Sequence, residues 1–330
     1  MSRPRFLPDN FTLALITTVL IASLLPCSGQ AAVAFGWITN FAVGLLFFLH
    51  GAKLSREAVI AGATHWRLHL VVMLSTFALF PLLGLVLKPV LSPLVTPALY
   101  TGVLFLCALP STVQSSIAFT AMARGNVPAA ICSASASNLF GIFITPVVAG
   151  LLLGAHAGMT FSASSIMNIV LQLLLPFIAG QIARKWIGNW VDRNKGVLKY
   201  VDQGSILLVV YTAFSEAVIQ GLWHNTPLPA LGALLIVNAI LLALVLLATT
   251  FGSRVLGFNK EDEIVVVFCG SKKSLASGVP IANVLFAGHA VGSVVLPLML
   301  FHQIQLMTCA VLAQRYARRQ MAAPEAVAQT

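Results

Sequence analysis

Ten stretches of the chain are apolar almost without interruption, at about 11–26, 33–52, 68–88, 98–123, 128–153, 164–184, 204–223, 229–252, 263–287 and 291–314. Most run for about 17 to 25 residues, the length a helix needs to cross the hydrocarbon core of a bilayer. The pattern predicts an all-α polytopic membrane protein. Two of the ten runs break it. In the ninth, Phe268-Cys269-Gly270-Ser271-Lys272-Lys273-Ser274-Leu275-Ala276-Ser277-Gly278-Val279-Pro280 puts two adjacent lysines among glycines, serines and a proline. In the fourth, Pro110-Ser111-Thr112-Val113-Gln114-Ser115-Ser116 does the same without charge.

A charge at bilayer depth costs several kcal/mol unless it is partnered or hydrated. Broken helix is tolerated there only where it is buried in protein or lines a water-filled cavity. Both clusters lie about 12 residues from the start of their spans, roughly 18 Å at 1.5 Å per residue, near the middle of a ~30 Å core. The two breaks are therefore expected to meet at one depth. Paired interrupted spans in the two halves of a chain point to a transporter's substrate site, where half-helix ends offer anion and cation sites through backbone N–H and carbonyl groups.

Charge fixes the expected topology. With the N-terminus inside, all but three of the 19 basic residues fall in cytoplasmic segments, the exceptions being Lys88, Lys272 and Lys273. Such asymmetry follows the positive-inside rule and places both termini in the cytoplasm. No signal peptide is expected, because Met1 to Asn10 leads into a long apolar span without a small-residue cleavage site. Five spans per half is an odd number, so two repeats must be inverted: residues 1–160 and 161–318, with a hinge near 154–163 and a cytoplasmic tail at 319–330.

Composition agrees, with 58% of residues apolar and 8% charged. A soluble domain has roughly 25% charged residues. The net charge of +10 belongs to loops and implies no nucleic-acid partner. Five cysteines (Cys27, Cys107, Cys132, Cys269, Cys309) lack metal-ligand spacing and read as packing residues. No metal site is expected: His65 and His69 share a helix face, but no cysteine joins them and the one carboxylate nearby is Glu57.

Lys272 and Lys273, flanked by Ser271 and Ser274, are candidate site residues, as binders of a substrate anion or as a surrogate cation; snorkelling to the surface is the bland alternative. Gln114, Ser115 and Ser116 are their counterparts in span four. Glu216 is the one carboxylate in the interior of any span. It is expected near the outer surface, paired with a lysine of span nine, or carrying a proton. Asn138 in span five is expected to face the core, and Gln303, grouped with His302 and Gln305 in span ten, either to line the cavity or to pack between helices through hydrogen bonds.

Phe47-Phe48-Leu49-His50-Gly51, Trp66-Arg67-Leu68-His69, the Arg124-Gly125-Asn126-Val127 turn, Thr145-Pro146, Cys269 to Ser274 and His302-Gln303-Ile304-Gln305-Leu306 together resemble the sodium/bile acid symporter family, in particular its YfeH-type and "member 7-like" branches, over nearly the whole chain. The resemblance implies ten helices in inverted five-helix repeats, a panel and a core domain, and discontinuous spans four and nine crossing in the core. It also implies sodium coupling. Its sodium ligands include a Glu and a Gln-Asn pair in span nine, a Ser-Asn pair in span four, hydroxyls in span five and a Gln in span three. The matching positions here read Phe268 for the Glu, Lys272-Lys273 for the Gln-Asn pair, Ser116-Ile117 or Ser115-Ser116 for the Ser-Asn pair, and Thr76 for the Gln. The carboxylate is gone, and ammonium groups, which only donate, stand where they repel a cation.

The expected function is secondary active transport of an organic anion or amphipathic metabolite by alternating access around spans four and nine, in the bacterial inner membrane. The partners are that small molecule and the lipid bilayer. Sodium is the one cofactor implied, as coupling ion; a sodium-independent or proton-coupled carrier and a non-transporting regulatory protein are the alternatives. An enzyme would need a nucleophile–base pair or a metal cluster at common depth, which a lone Glu216 with scattered histidines does not supply. No G-x-x-x-x-G-K-[ST] loop is present for an ATP-driven pump.

Overall fold

The computed structural model describes residues 10–53, 65–91, 93–157, 170–225, 227–286 and 291–327, and helix is the only regular structure among them. In chain order the main elements are α1 Asn10–Leu24, α2 Gly29–Lys53, α3 Trp66–Val86, α4 Pro97–Ala108, α5 Gln114–Met122, α6 Val127–Ala157, α7 Leu175–Arg193, α8 Lys195–Ile219, α9 Leu228–Val255, α10 Lys260–Gly270, α11 Leu275–Leu285 and α12 Val291–Val327. A π-helical turn, Ser75–Leu79, interrupts α3, and another, Val170–Leu174, precedes α7. Seven runs among the described residues are long and apolar enough to cross a membrane, and Leu13–Leu24 and Pro97–Ala108 are shorter apolar helices. The expected span 164–184 begins outside the described residues, as does most of the expected hinge and the boundary at 160/161.

The chain divides into two compact units that each draw on both halves of the sequence. One comprises Met1–Lys53, Ser162–Pro227 and Val279–Val295; the other comprises Leu54–Phe161, Leu228–Gly278 and Leu296–Thr330. In the first unit, α2 and α7 approach until backbone meets backbone. A Cβ added to Gly51 would strike the Phe177 carbonyl, and one added to Gly180 would strike that of Phe48. Small residues let membrane helices come this close, since lipid gives them no hydrophobic drive to associate. Leu49, Ala52, Val191 and Leu198 fill the adjoining core. Lys53 pairs with the buried carboxylate of Asp202.

In the second unit, α10 beyond its charged first turn is apolar all round from Ile264 to Cys269 and correspondingly enclosed, as expected of a core helix. Of the apolar window in Lys260–Leu285, 94% is buried within the protein, against 28–56% for the other six runs. Val265, Val266 and Cys269 pack on Leu68, Val72 and the alanines of α6. Ile264, Val267 and Phe268 pack on Ala123, Cys309 and Ala313. Asn259 caps α10, its side chain accepting the Asp262 N–H at 2.8 Å, and Glu261, Asp262 and Glu263 fill the first turn where the helix dipole favours anions. The Glu263 carboxylate accepts from Arg254 Nε (3.1 Å), Lys260 Nζ (2.6 Å) and Tyr316 Oη (2.8 Å).

Besides the turns between spans, the described chain of this unit also leaves the helix inside two spans, between α4 and α5 and between α10 and α11. Pro110 accounts for the first break: the residue before a proline is pushed out of the α region, and Leu109 is extended at φ −75°, ψ 155°.

Gly180→Ala and Gly51→Ala are each expected to cost about 1–3 kcal/mol through forced backbone shifts, read as earlier thermal unfolding of the purified protein in detergent. Gly36→Ala on α2, with no atom within 4 Å of the added methyl, is the matched control and should leave the transition where it was.

Candidate functional site

The two breaks lie together and bond directly. Ser274 N–H donates to the Pro110 carbonyl at 2.9 Å. Ser111 Oγ donates to the Cys269 carbonyl at 2.6 Å and Ser116 Oγ to that of Phe268 at 3.0 Å. These last carbonyls of α10 have no donor ahead of them in the helix. The hydroxyls of span four supply it.

The end of α4 is satisfied differently. The helical partner of the Cys107 carbonyl would be Ser111 N–H, which instead donates to Ser137 Oγ at 3.1 Å. In α3, Phe80 N–H bonds the Ser75 carbonyl across the π turn. Thr76 then has no donor four residues on, and five residues on stands Pro81, which has no N–H. Among the described residues, three carbonyls (Thr76, Cys107, Leu109) are left converging without backbone partners, and Lys273 Nζ fills the space among them at 2.7, 2.9 and 2.7 Å.

An ammonium carries three hydrogens, and here each has a carbonyl. The charge also faces the negative end of the α4 dipole and lies 4.0 Å from the centroid of the Phe80 ring. Lys272 takes the other side: Nζ donates to the Ser115 carbonyl at 2.9 Å and stands 3.9 Å from the Phe119 centroid and 5.3 Å from that of Phe268. Aromatic faces attract cations, by about 2 kcal/mol when water is excluded. Both lysines are fully buried.

Gln305 holds the break in place: its Oε1 accepts Lys273 N–H at 2.9 Å and its Nε2 donates to the Lys273 carbonyl at 3.0 Å, with His302 Nδ1 2.8 Å from the same nitrogen. The sequence reading chose Gln303 from that segment; Gln303 is half-buried, and Gln305 is the fully buried one. The available signal was spacing, since 302 and 305 stack on one helix face. Asn138 Oδ1 accepts from Ser277 Oγ at 2.6 Å, and Ser274 Oγ caps α11 by accepting Ser277 N–H at 3.1 Å.

Of the other candidates, Ser115 and Ser116 share a hydroxyl cluster with Thr112 at 2.6 and 3.0 Å. Ser271 is buried in the break. Thr76 takes part through its carbonyl, because its hydroxyl donates back to Val72 at 2.8 Å. Gln114 opens α5 and is exposed. Glu216 belongs to the other unit, where it accepts from Gln220 Nε2 at 3.2 Å. Among the described residues no group of three or more His, Cys, Asp or Glu could hold a metal ion, and His69 Nδ1 lies 2.7 Å from Ser133 Oγ.

The model of the SBF-like CPA transporter family matches residues 9–318. An uncharacterized protein of Pseudomonas aeruginosa is 70% identical over 329 residues, covering 100% of this chain and 99% of its own. YfeH of Escherichia coli, by its name a candidate symporter, is 58% identical over 94% of this chain and 93% of its own. The rat sodium/bile acid cotransporter 7 is 30% identical over 83% and 82%.

Gln305→Leu is expected to leave the buried N–H and carbonyl of Lys273 unpaired and cost about 1–3 kcal/mol, seen as a lower unfolding temperature. Gln114→Ala, at an exposed position, should be neutral by the same measurement.

Proposed function

The chain belongs to the SBF-like CPA transporter family, and from that premise we propose that it is a secondary carrier of an amphipathic organic solute in which Lys273 stands permanently where its relatives would bind a coupling cation. It is an integral multi-pass membrane protein. The observation that carries the reading is the Lys273 ammonium held by three carbonyls at 2.7–2.9 Å. That donor set, hard oxygen ligands around one positive charge, is what a small monovalent cation would seek.

The surrogate-cation role is favoured over the substrate-anion role because all three Lys273 hydrogens are taken. The anionic charge expected of the substrate loses that support. The sodium in the rat relative's name does not transfer either, because Phe268, Lys272 and Lys273 replace the ligands the resemblance implied. Ten spans in inverted repeats 1–160 and 161–318 remain the proposed arrangement, supported by two units that each draw on both halves. Alternating access would then work around the joined breaks. The basic residues support both termini on the cytoplasmic side of a bacterial inner membrane.

Proteoliposome uptake, with the solute chosen by thermal-shift screening of amphipathic metabolites, is expected to proceed equally in sodium, potassium and choline buffers. Lys273→Ala should impair it, and sodium or methylammonium, small enough to enter the emptied carbonyl cage, should restore part of the loss. Wild-type uptake that collapses when sodium is withdrawn would overturn the reading.

A further inference from the structure

The first unit contains a cavity of about 620 Å³, within the ~300–1,000 Å³ typical of small-molecule sites. It lies toward the end of α8 opposite Lys195 and Lys199. Side chains from distant parts of the unit supply its polar wall, among them Asn40, Gln172, Thr212, Glu216, Gln220 and Asn283. Ile219, Val284 and Val291 supply an apolar side, and Gly36 leaves room, with nothing within 4 Å of where its Cβ would be.

Its charge is one-sided. Among the described residues no lysine or arginine lines it, and Glu216 is the one formally charged group on the wall. Gln220 Nε2 occupies a single acceptor position of that carboxylate at 3.2 Å, whereas a carboxylate offers about four. A solute carboxylate placed here would meet like charge; a protonated amine would meet an acceptor with room for it, ringed by amides that accept its remaining hydrogens. We propose that this cavity binds an amine-bearing amphipathic solute, its ammonium on Glu216 and its apolar body against Ile219, Val284 and Val291. The site rests on the carrier reading for any part in translocation, and its binding is measurable without transport.

The test uses 4-phenylbutylamine and 4-phenylbutyrate, which share an apolar body and carry opposite charges, titrated by calorimetry into the full chain in lipid nanodiscs. The amine is expected to bind and the carboxylate to bind far more weakly. Glu216→Gln, isosteric at an exposed position, should weaken the amine by about tenfold, the size of one charge-assisted hydrogen bond. Gly36→Leu, whose Cβ would meet no atom within 4 Å and whose remaining atoms would enter the void, should abolish binding while the unfolding temperature holds. Equal binding of the two compounds, an unchanged affinity in Glu216→Gln, or no binding of the amine overturns the proposal. Amine binding with no uptake of any solute in proteoliposomes refutes the carrier reading and leaves this site standing.

Discussion

Three backbone carbonyls that no backbone N–H can reach, gathered around one ammonium, are the constraint on which the broken region depends. In lipid, an unpaired carbonyl costs several kcal/mol, and three pointing at a common centre also repel one another. Only a cation relieves both at once. Lys273 is that cation, and the relation is reciprocal: without the carbonyls its buried charge would be untenable. Each of the three carbonyls is freed by a separate feature of the sequence, the π turn ahead of Pro81, the end of α4, and the extended Leu109 before Pro110.

The rest of the region reads as support for that contact. Gln305 fixes the backbone of Lys273 from both sides, so the side chain leaves from a defined point. The Cys269 and Phe268 carbonyls at the α10 end are closed by Ser111 and Ser116, whose hydroxyls are neutral and can be remade on another carbonyl at small cost. One half of the junction is thus held by a fixed charge and the other by exchangeable hydroxyls. Movement during a transport cycle would be cheaper at the second.

The sequence displayed the breaks because glycine, proline and lysine stand out against an apolar background: α4 ends just before Pro110 and α10 at Gly270, whereas Gly278 and Pro280 are carried inside α11. It did not display the cage. Thr76 lies in an ordinary apolar run, and its carbonyl is freed by a proline five residues later acting through a change of helix type. Gln305 was hidden by phase: along α12 every third or fourth residue is a candidate, and which row faces inward is set by packing against Lys273. The cavity around Glu216 could not be read at all, since its wall joins positions from 27 to 291 whose residue types are individually unremarkable. The cysteines were legible as packing residues, as Cys107, Cys132, Cys269 and Cys309 are buried and form no disulfide.

A tethered cation changes the energetics of transport as well as the structure. A bound sodium ion does two separable things: it neutralises the carbonyls that a helix break exposes, and by crossing the membrane it contributes its gradient, about 2.3 kcal/mol per charge for each 100 mV. An ammonium on a side chain does the first and cannot do the second, because it ends each cycle on the side where it began relative to its own helix. On the proposed reading, then, accumulation against a gradient must draw on another mobile species, a proton or the charge of the solute itself. An amine-bearing solute meets that requirement without a coupling ion, since its own positive charge is drawn inward by a potential that is negative inside. The carboxylate of Glu216 and the sequestered charge of Lys273 are in that sense complementary: one leaves a negative site open to a cationic solute, and the other closes the site where sodium would have competed to carry it.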